Sequence, residues 1–226
     1  MSRISTTCQL FKPTVNMQRM KFMPSRITCI LAIMLLAVSQ YSMADYLKTI
    51  PVFWKNLYPN GGISLYCGKK FNRGDRRYNI EHVFPMSWVT RSLRCGRRAQ
   101  CRANSSRFNR IEADMHNMYP ADKKLNAARG SMSYGILKGE RWFKKHCDLE
   151  IDEAKRRVEP KPAARGEIAR AMLYMADRYN LKLYQRGMLL RWHRQDPPNA
   201  LEKRRNRRIQ QLQGQDNPWI TRQANK

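Results

Sequence analysis

NIEHVFPMSWV, residues 79–89, sets a Glu beside a His inside a mostly apolar run and breaks that run with a proline. With the residues before it, RRYNIEHVF (residues 76–84) reads as a strand, stopped at Pro85 because proline has no donor for a ladder. Consecutive side chains on a strand point to opposite faces, so Glu81 and His82 converge only where the strand ends or bends, which Pro85 favours. Their chemistry is complementary. An imidazole titrates near neutrality and can take a proton from water, and a carboxylate is a ligand for a hard cation. Two residues are a weak signal, and a surface Glu beside a half-buried, hydrogen-bonded His accounts for them as well.

Upstream, the amphipathic stretch DYLKTIPVFWKNLY precedes a PNGG turn at residues 59–62. The alternation of Ile63, Leu65 and Cys67 in ISLYCGKKF then predicts a strand. Further back, residues 1–26 carry five basic and no acidic side chains, and ITCILAIMLLAV at residues 27–38 is shorter than a bilayer span. With small residues at Ser42 and Ala44, this is the pattern of a cleaved signal peptide over residues 1–44. It leaves no membrane anchor and a single domain over residues 45–226. Met17, Met20 and Met23 are alternative starts. Removing the leader lowers the formal charge from +27 to +22. So large an excess implies a polyanionic partner, either nucleic acid or an anionic membrane.

Four cysteines remain after Cys8 and Cys29 leave with the leader: Cys67, Cys95, Cys101 and Cys147. Behind a secretory signal they read as two disulfides with three possible connectivities. The short Cys95–Cys101 loop is the natural pair, leaving Cys67 with Cys147 by elimination. A zinc site built on Cys and His is the competing reading, without a CxxC spacing to support it.

Downstream, residues 87–108 are basic and aperiodic and read as a disulfide-held loop. A helical turn is expected around residues 111–118, with Pro120 interrupting or beginning an element. CDLEID at residues 147–152 reads as a strand, and EPKPAARG at residues 159–166 as a linker. Ile168, Ala171, Met172, Met175 and Tyr179 then recur at helical spacing. QRGMLLRWHRQ and ALEKRRNRRIQQLQ predict two more helices, the first ended by Pro197 and the second by Gly214. His146 and His193, amid Lys and Arg, are expected at the surface. The basic run at residues 203–208 is expected to be a solvated helix face.

Phosphodiester hydrolysis needs a base for water, a cation for the charge that develops on the phosphate and leaving oxygen, and a group that holds the phosphate. EADMHNMYP, residues 112–120, supplies the missing ligand type in Asn117, beside a His116 read as structural. Asp114 or Asn117 acting as a helix cap is the plainer alternative.

EHVFPMSW, CGRRAQC, IEADMHNMYPADKKLNAARG, CDLEID, ARGEIARAMLYMADRYNL, WHRQDPP and QGQDNPW, in this order over residues 66–220, resemble the bacterial endonuclease I family of secreted nucleases. The resemblance implies an α+β, mostly helical mixed domain around a His-Me finger, a ββα-metal core. It implies Mg²⁺-dependent cleavage of DNA, often RNA as well, with Mn²⁺ able to substitute, in the periplasm or outside the cell. His82 would be the general base, Glu81 and Asn117 the metal ligands and Arg98 the phosphate clamp, with Arg97 its neighbour. Apart from the resemblance, Arg97, Asn126 and Arg129 are expected to contact nucleic acid, Asn126 and Arg129 lining the cleft, and the protein is expected to be a monomer. Ile80 stands where the family usually has Trp, and the Cys-bounded loop is shorter than in familiar members. A non-catalytic cationic binder of extracellular nucleic acid or anionic membrane is the alternative from another class.

Overall fold

The computed structural model describes residues 45–139 and 141–222, so the leader expected over residues 1–44 lies outside the described residues. Asp45 opens the first helix, α1 (Tyr46–Val52), by accepting from the Leu47 amide at 2.9 Å. A π-helical turn, Phe53–Leu57, continues it. The chain then turns at Gly61, whose φ of +90° and close approach to Phe71 exclude a side chain: a Cβ there would lie 2.0 Å from the Phe71 carbonyl oxygen.

The strand expected over residues 63–71 is instead two short ones, β1 (Gly62–Ile63) and β2 (Lys70–Phe71), paired antiparallel. Between them the chain doubles back: the Ser64 amide bonds Lys69 O and the Gly68 amide bonds Ser64 O, each at 2.9 Å. The fold-back draws Leu65 and Tyr66 into the core and lets the Leu65 amide reach Pro120 O at 2.9 Å.

β3 (Tyr78–His82) ends at His82, in agreement with a stop before Pro85. The region that follows corrects the expected loop. It contains α2 (Met86–Leu93), α3 (Arg98–Asn104) and α4 (Ser106–Glu112), then a 3-10 turn, Met115–Asn117. These helices are short and basic, so their apolar stripes are only a few residues long: Met86 and Val89 on α2, Phe108 and Ile111 on α4. Capping sets their starts, as where Ser105 accepts from the Phe108 amide at 3.1 Å.

β4 (Met118–Asp122) returns antiparallel to β3, with Ile80 opposite Pro120. Pro120 is tolerated inside a strand because its carbonyl faces Leu65 on the outer side. The position of its missing N–H is on that same side, away from the β3 ladder. Asp122 then caps α5 (Lys123–Arg129), accepting from the Lys124 and Leu125 amides at 2.9 and 3.3 Å. Since α5 packs on both strands, β3, β4 and α5 form a ββα unit.

A four-stranded sheet follows, from β5 (Ser133–Tyr134), β6 (Trp142–Lys144), β7 (Cys147–Asp152) and β8 (Arg157–Pro160), in the order β5-β8-β7-β6. CDLEID is β7, as expected. The expected linker is absorbed by its neighbours: Pro160 ends β8 and Pro162 opens α6 (Pro162–Tyr179), where a missing N–H is harmless. α7 (Arg186–Gln195), α8 (Ala200–Gln213) and the short α9 (Pro218–Thr221) complete the fold, so the helical spacing read from residue 167 onward is realised.

α6 is the central element of the main core, which it shares with Phe84, Val89, Phe108, Leu149 and Trp192. Gly166 allows it to approach the end of α7, since a Cβ there would meet Asp196 O at 2.0 Å. Arg170, buried on the same helix, forks onto both oxygens of buried Glu202 at 2.6 and 2.5 Å and reaches Asp196 O at 2.6 Å. Removing one partner of such a pair costs about 3–5 kcal/mol, because the other charge is left buried alone.

The disulfides join Cys67 to Cys147 and Cys95 to Cys101, so no thiol of the four is left for zinc. Two surface expectations need correction. His193 is buried, its ring against that of Trp219, while His146 is exposed. In the run at residues 203–208, Arg205 turns inward to the Tyr58 hydroxyl and the carbonyls of Met115 and Met118, and Asn206 is buried. Among the described residues no helix is long and apolar enough to cross a membrane.

Candidate active site

Glu81 and His82, the last two residues of β3, both line a cleft of about 1340 Å³. Behind His82, its Nε2 lies 2.9 Å from the backbone carbonyl oxygen of Glu112. A carbonyl only accepts, so Nε2 carries the proton and Nδ1 keeps its lone pair. Burial drives the imidazole pKa down to about 4, which keeps the ring neutral at pH 7. Tyr46, from the first turn of α1, lies over it with ring centroids 5.1 Å apart.

Glu81 is held by a buried network. Its Oε1 accepts from the Tyr66 hydroxyl at 2.7 Å and from Arg129 Nη1 at 2.8 Å. Among the described residues nothing hydrogen-bonds Oε2. Burial raises the Glu81 pKa, and Arg129 and Tyr66 oppose that rise by stabilising the anion. Arg129 is only 1% exposed. It also donates to His82 O at 3.1 Å and Val83 O at 2.7 Å, and stacks on Tyr134. The expectation that it contacts nucleic acid is therefore corrected: Arg129 anchors the end of β3 from behind.

The two asparagines are placed differently from their expected roles. Asn117 is fully buried and is not among the cleft-lining residues. Its Oδ1 accepts from the Phe84 amide at 2.6 Å and its Nδ2 donates to Phe84 O at 3.0 Å, so both ends of the amide secure the chain after β3. Asn126, on α5, does line the cleft. Its Nδ2 donates to Asn79 Oδ1 at 2.9 Å and Ile80 O at 3.1 Å. Because Ile80 O can only accept, the amide orientation is fixed, and among the described residues Oδ1 has no donor. An oxygen-ligating cation with water in its remaining positions fits Glu81 Oε2 with Asn126 Oδ1; it does not fit Asn117. Among the described residues no three of His, Cys, Asp and Glu cluster as a metal centre.

Arg97 and Arg98 open α3 and both line the cleft. Arg98 Nε donates to Glu112 Oε1, while Arg102 donates to both oxygens of that carboxylate at 2.7 and 2.9 Å. Both guanidiniums also lie by the Tyr46 ring, their carbons 5.5 and 5.2 Å from its centroid. Glu112 thus orients the imidazole through its backbone and the arginines through its side chain. The Cys95–Cys101 bridge spans Arg98 and fixes the loop that delivers it. Around the cleft stand Lys55, Arg73, Arg76, Arg97, Arg98 and Lys123 against Asp75 and Glu81, an electropositive channel for a polyanion.

Sequence reasoning gave no role to Glu112, Tyr46 or Tyr66. Glu112 offers a retrospective signal, as an acid among Arg97, Arg98, Arg102, Arg107 and Arg110. Tyr46 and Tyr66 offer none, since only the fold brings them to β3.

A bare imidazole nitrogen, a half-free carboxylate and an arginine on a basic cleft wall define a hydrolytic type of site for an anionic substrate. The endonuclease I family model matches residues 39–224. A periplasmic deoxyribonuclease of Aeromonas hydrophila is 37% identical over 176 residues, 75% of this chain and 74% of its own. An extracellular deoxyribonuclease of the same organism is 40% identical over 163 residues, 70% of each chain. Endonuclease-1 of Buchnera aphidicola subsp. Acyrthosiphon pisum is 32% identical over 178 residues, 75% of this chain and 70% of its own. The chain belongs to the endonuclease I family.

Proposed function

We propose that the protein is a secreted, divalent-metal-dependent endonuclease of low sequence specificity, working in the periplasm or outside the cell on DNA and also on RNA. The observation that carries this reading is His82: a neutral ring whose Nε2–H is fixed by Glu112 O, leaving Nδ1 bare beside a half-free carboxylate in a basic cleft. Family membership and the nuclease names of the relatives support it. So does the pair of disulfides, which suits an oxidising compartment.

In this reading the ββα unit is a His-Me finger. Arg98, its Nε engaged by Glu112, turns its remaining donors to the scissile phosphate. His82 Nδ1 takes a proton from water as the water oxygen attacks phosphorus in line; the P–O3′ bond breaks, and the departing 3′ oxygen takes a proton from solvent. The products carry 5′-phosphate and 3′-hydroxyl ends. A Mg²⁺ ion, or Mn²⁺ in its place, held by Glu81 and Asn126 would stabilise negative charge on the phosphate and the departing oxygen. Glu81 and Arg129 fix the geometry of that corner, and Tyr46 with Glu112 fixes that of base and clamp. Affinity comes from charge, and phosphate contacts carry no base information, so specificity is low.

The test is conversion of supercoiled plasmid by the oxidised protein with Mg²⁺, with EDTA, and by His82→Ala. The wild-type protein with metal is expected to give open-circle and linear forms, and the variant to be slower by about 10²–10⁴-fold. Plasmid that is retarded but never cut in any arm would make the protein a cationic binder and end the catalytic reading.

A further inference from the structure

β6 is an edge strand of the four-stranded sheet, and it presents Trp142 and Phe143, each 47% exposed. In a regular strand one of two consecutive side chains would turn inward. The register shift between Trp142 and Lys144 removes that constraint, and both rings face solvent. Lysines and a bulge are ordinary protection for an edge, but they do not explain two large half-exposed rings. RWFKKH, residues 141–146, flanks the rings with Arg141, Lys144 and Lys145, while Glu140 precedes the stretch in sequence and Glu150 stands opposite Trp142 in the register.

The position of this patch gives it a direction. Lys144 Nζ donates to Asp122 Oδ2 at 2.7 Å, and Asp122 caps α5, whose Lys123 and Asn126 line the cleft. Opposite Lys144 in the register stands Cys147, bonded to Cys67. The rings therefore sit on a hairpin stapled to the core and tied to the element that forms one wall of the cleft.

We propose that Trp142 and Phe143 are a stacking platform for unpaired bases, so that a single strand leaving the cleft is held more tightly than a duplex of the same length. The proposal rests on the nuclease reading of the cleft and adds its preferred form of substrate. Every base has a face that can stack on an aromatic ring, so the platform is indifferent to sequence. Bases in a duplex are already stacked on each other and gain nothing from it. Arg141 and Lys145 contribute phosphate contacts to either form.

The experiment measures fluorescence anisotropy of labelled oligothymidylate and of a duplex of equal length, in EDTA so that nothing is cut. Wild-type protein is compared with Trp142→Ala/Phe143→Ala and with the ring-conserving Trp142→Phe/Phe143→Trp. The alanine pair is expected to lose about tenfold in single-strand affinity, with duplex affinity and Tm unchanged, while the ring-conserving pair binds like wild type. Unchanged single-strand affinity in the alanine pair overturns the proposal, as does an equal loss for duplex. Loss of binding to anionic phosphatidylglycerol vesicles with single-strand affinity intact would assign the patch to lipid and overturn it too. Plasmid cleavage by wild type with Mg²⁺ runs alongside. Its absence, with the ring-dependent single-strand binding present, would overturn the nuclease reading and leave the platform standing.

Discussion

His82 and Glu81 are neighbours in sequence, yet each owes its state to a residue at least thirty positions away: Glu112 for the imidazole and Arg129 for the carboxylate. The pair itself was legible, because its residue types and the proline behind it suffice to suggest a base and a ligand at a strand end. Which asparagine joins them was not legible. An amide serves a cation or a backbone according to where its two ends are engaged, and neighbouring residues in sequence do not show that. The distinction is testable. Asn126→Ala is expected to abolish metal-dependent plasmid cleavage with little change in Tm. Asn117→Ala leaves the Phe84 amide and carbonyl buried without partners and is expected to cost roughly 3 kcal/mol in urea unfolding. A folded, stable Asn117→Ala that has lost cleavage, beside an active Asn126→Ala, would reverse the assignment. Away from the cleft, Glu167 has its pKa raised to about 7 by burial first and by the charge of Glu202 second, with Arg205 and Arg170 opposing and Asp196 adding to the rise. The folded state therefore binds a proton that the unfolded chain releases near pH 4.5. Stability from this group is full below that pH, falls as pH rises toward 7 and is gone above it. Glu167→Gln is expected to match wild type in Tm at pH 4 and exceed it at pH 8; parallel Tm curves would show that the Glu167 pKa does not change on folding.

At the scale of elements, legibility followed the length of the apolar stripe. α6 and α8 carry several turns of apolar or capping signal, and the sequence predicts helices over residues 168–179, 185–195 and 200–213. α2, α3 and α4 bury only a few residues each and turn many arginines outward, so their period is lost among charges and the stretch looks like a loop. Their placement depends on contacts that sequence does not display, above all the convergence of Arg98 and Arg102 on Glu112. The two disulfides divide their labour accordingly. Cys67–Cys147 closes 80 residues and Cys95–Cys101 closes 6, for which loop entropy gives about 4.5 and about 2 kcal/mol respectively. Cys67→Ser/Cys147→Ser is expected to lose more stability, whereas Cys95→Ser/Cys101→Ser loses more activity for each kcal/mol, because the small loop delivers Arg97 and Arg98. Denaturant unfolding and plasmid cleavage on the same samples separate the two. Equal activity losses at equal folded fraction would deny the small loop a role in aiming the clamp.

Over the whole molecule the dominant fact is charge. A formal +27 on 226 residues was legible at once as a polyanion binder, but composition does not say where the charge acts. The fold gives part of the answer. Arg170 and Arg129 are buried in ion pairs and are unavailable to a ligand, and Arg205 is turned inward, whereas Lys55, Arg73, Arg76, Arg97, Arg98 and Lys123 line one cleft. Binding to duplex DNA in EDTA should then weaken steeply with salt, by about 0.9 in the logarithmic slope for each phosphate neutralised. The six cleft cations, when all are engaged, contribute about −5 to the slope, and it should be the same for unrelated sequences, since none of these groups needs to read a base. Arg73→Ala/Arg76→Ala, away from the proposed base and clamp, is expected to make the slope shallower by about 2 while leaving the maximal cleavage rate at saturating DNA near wild type. An unchanged slope in that variant would mean that DNA runs over another face, such as the exposed arginines of α8, and that only a short stretch of it enters the cleft.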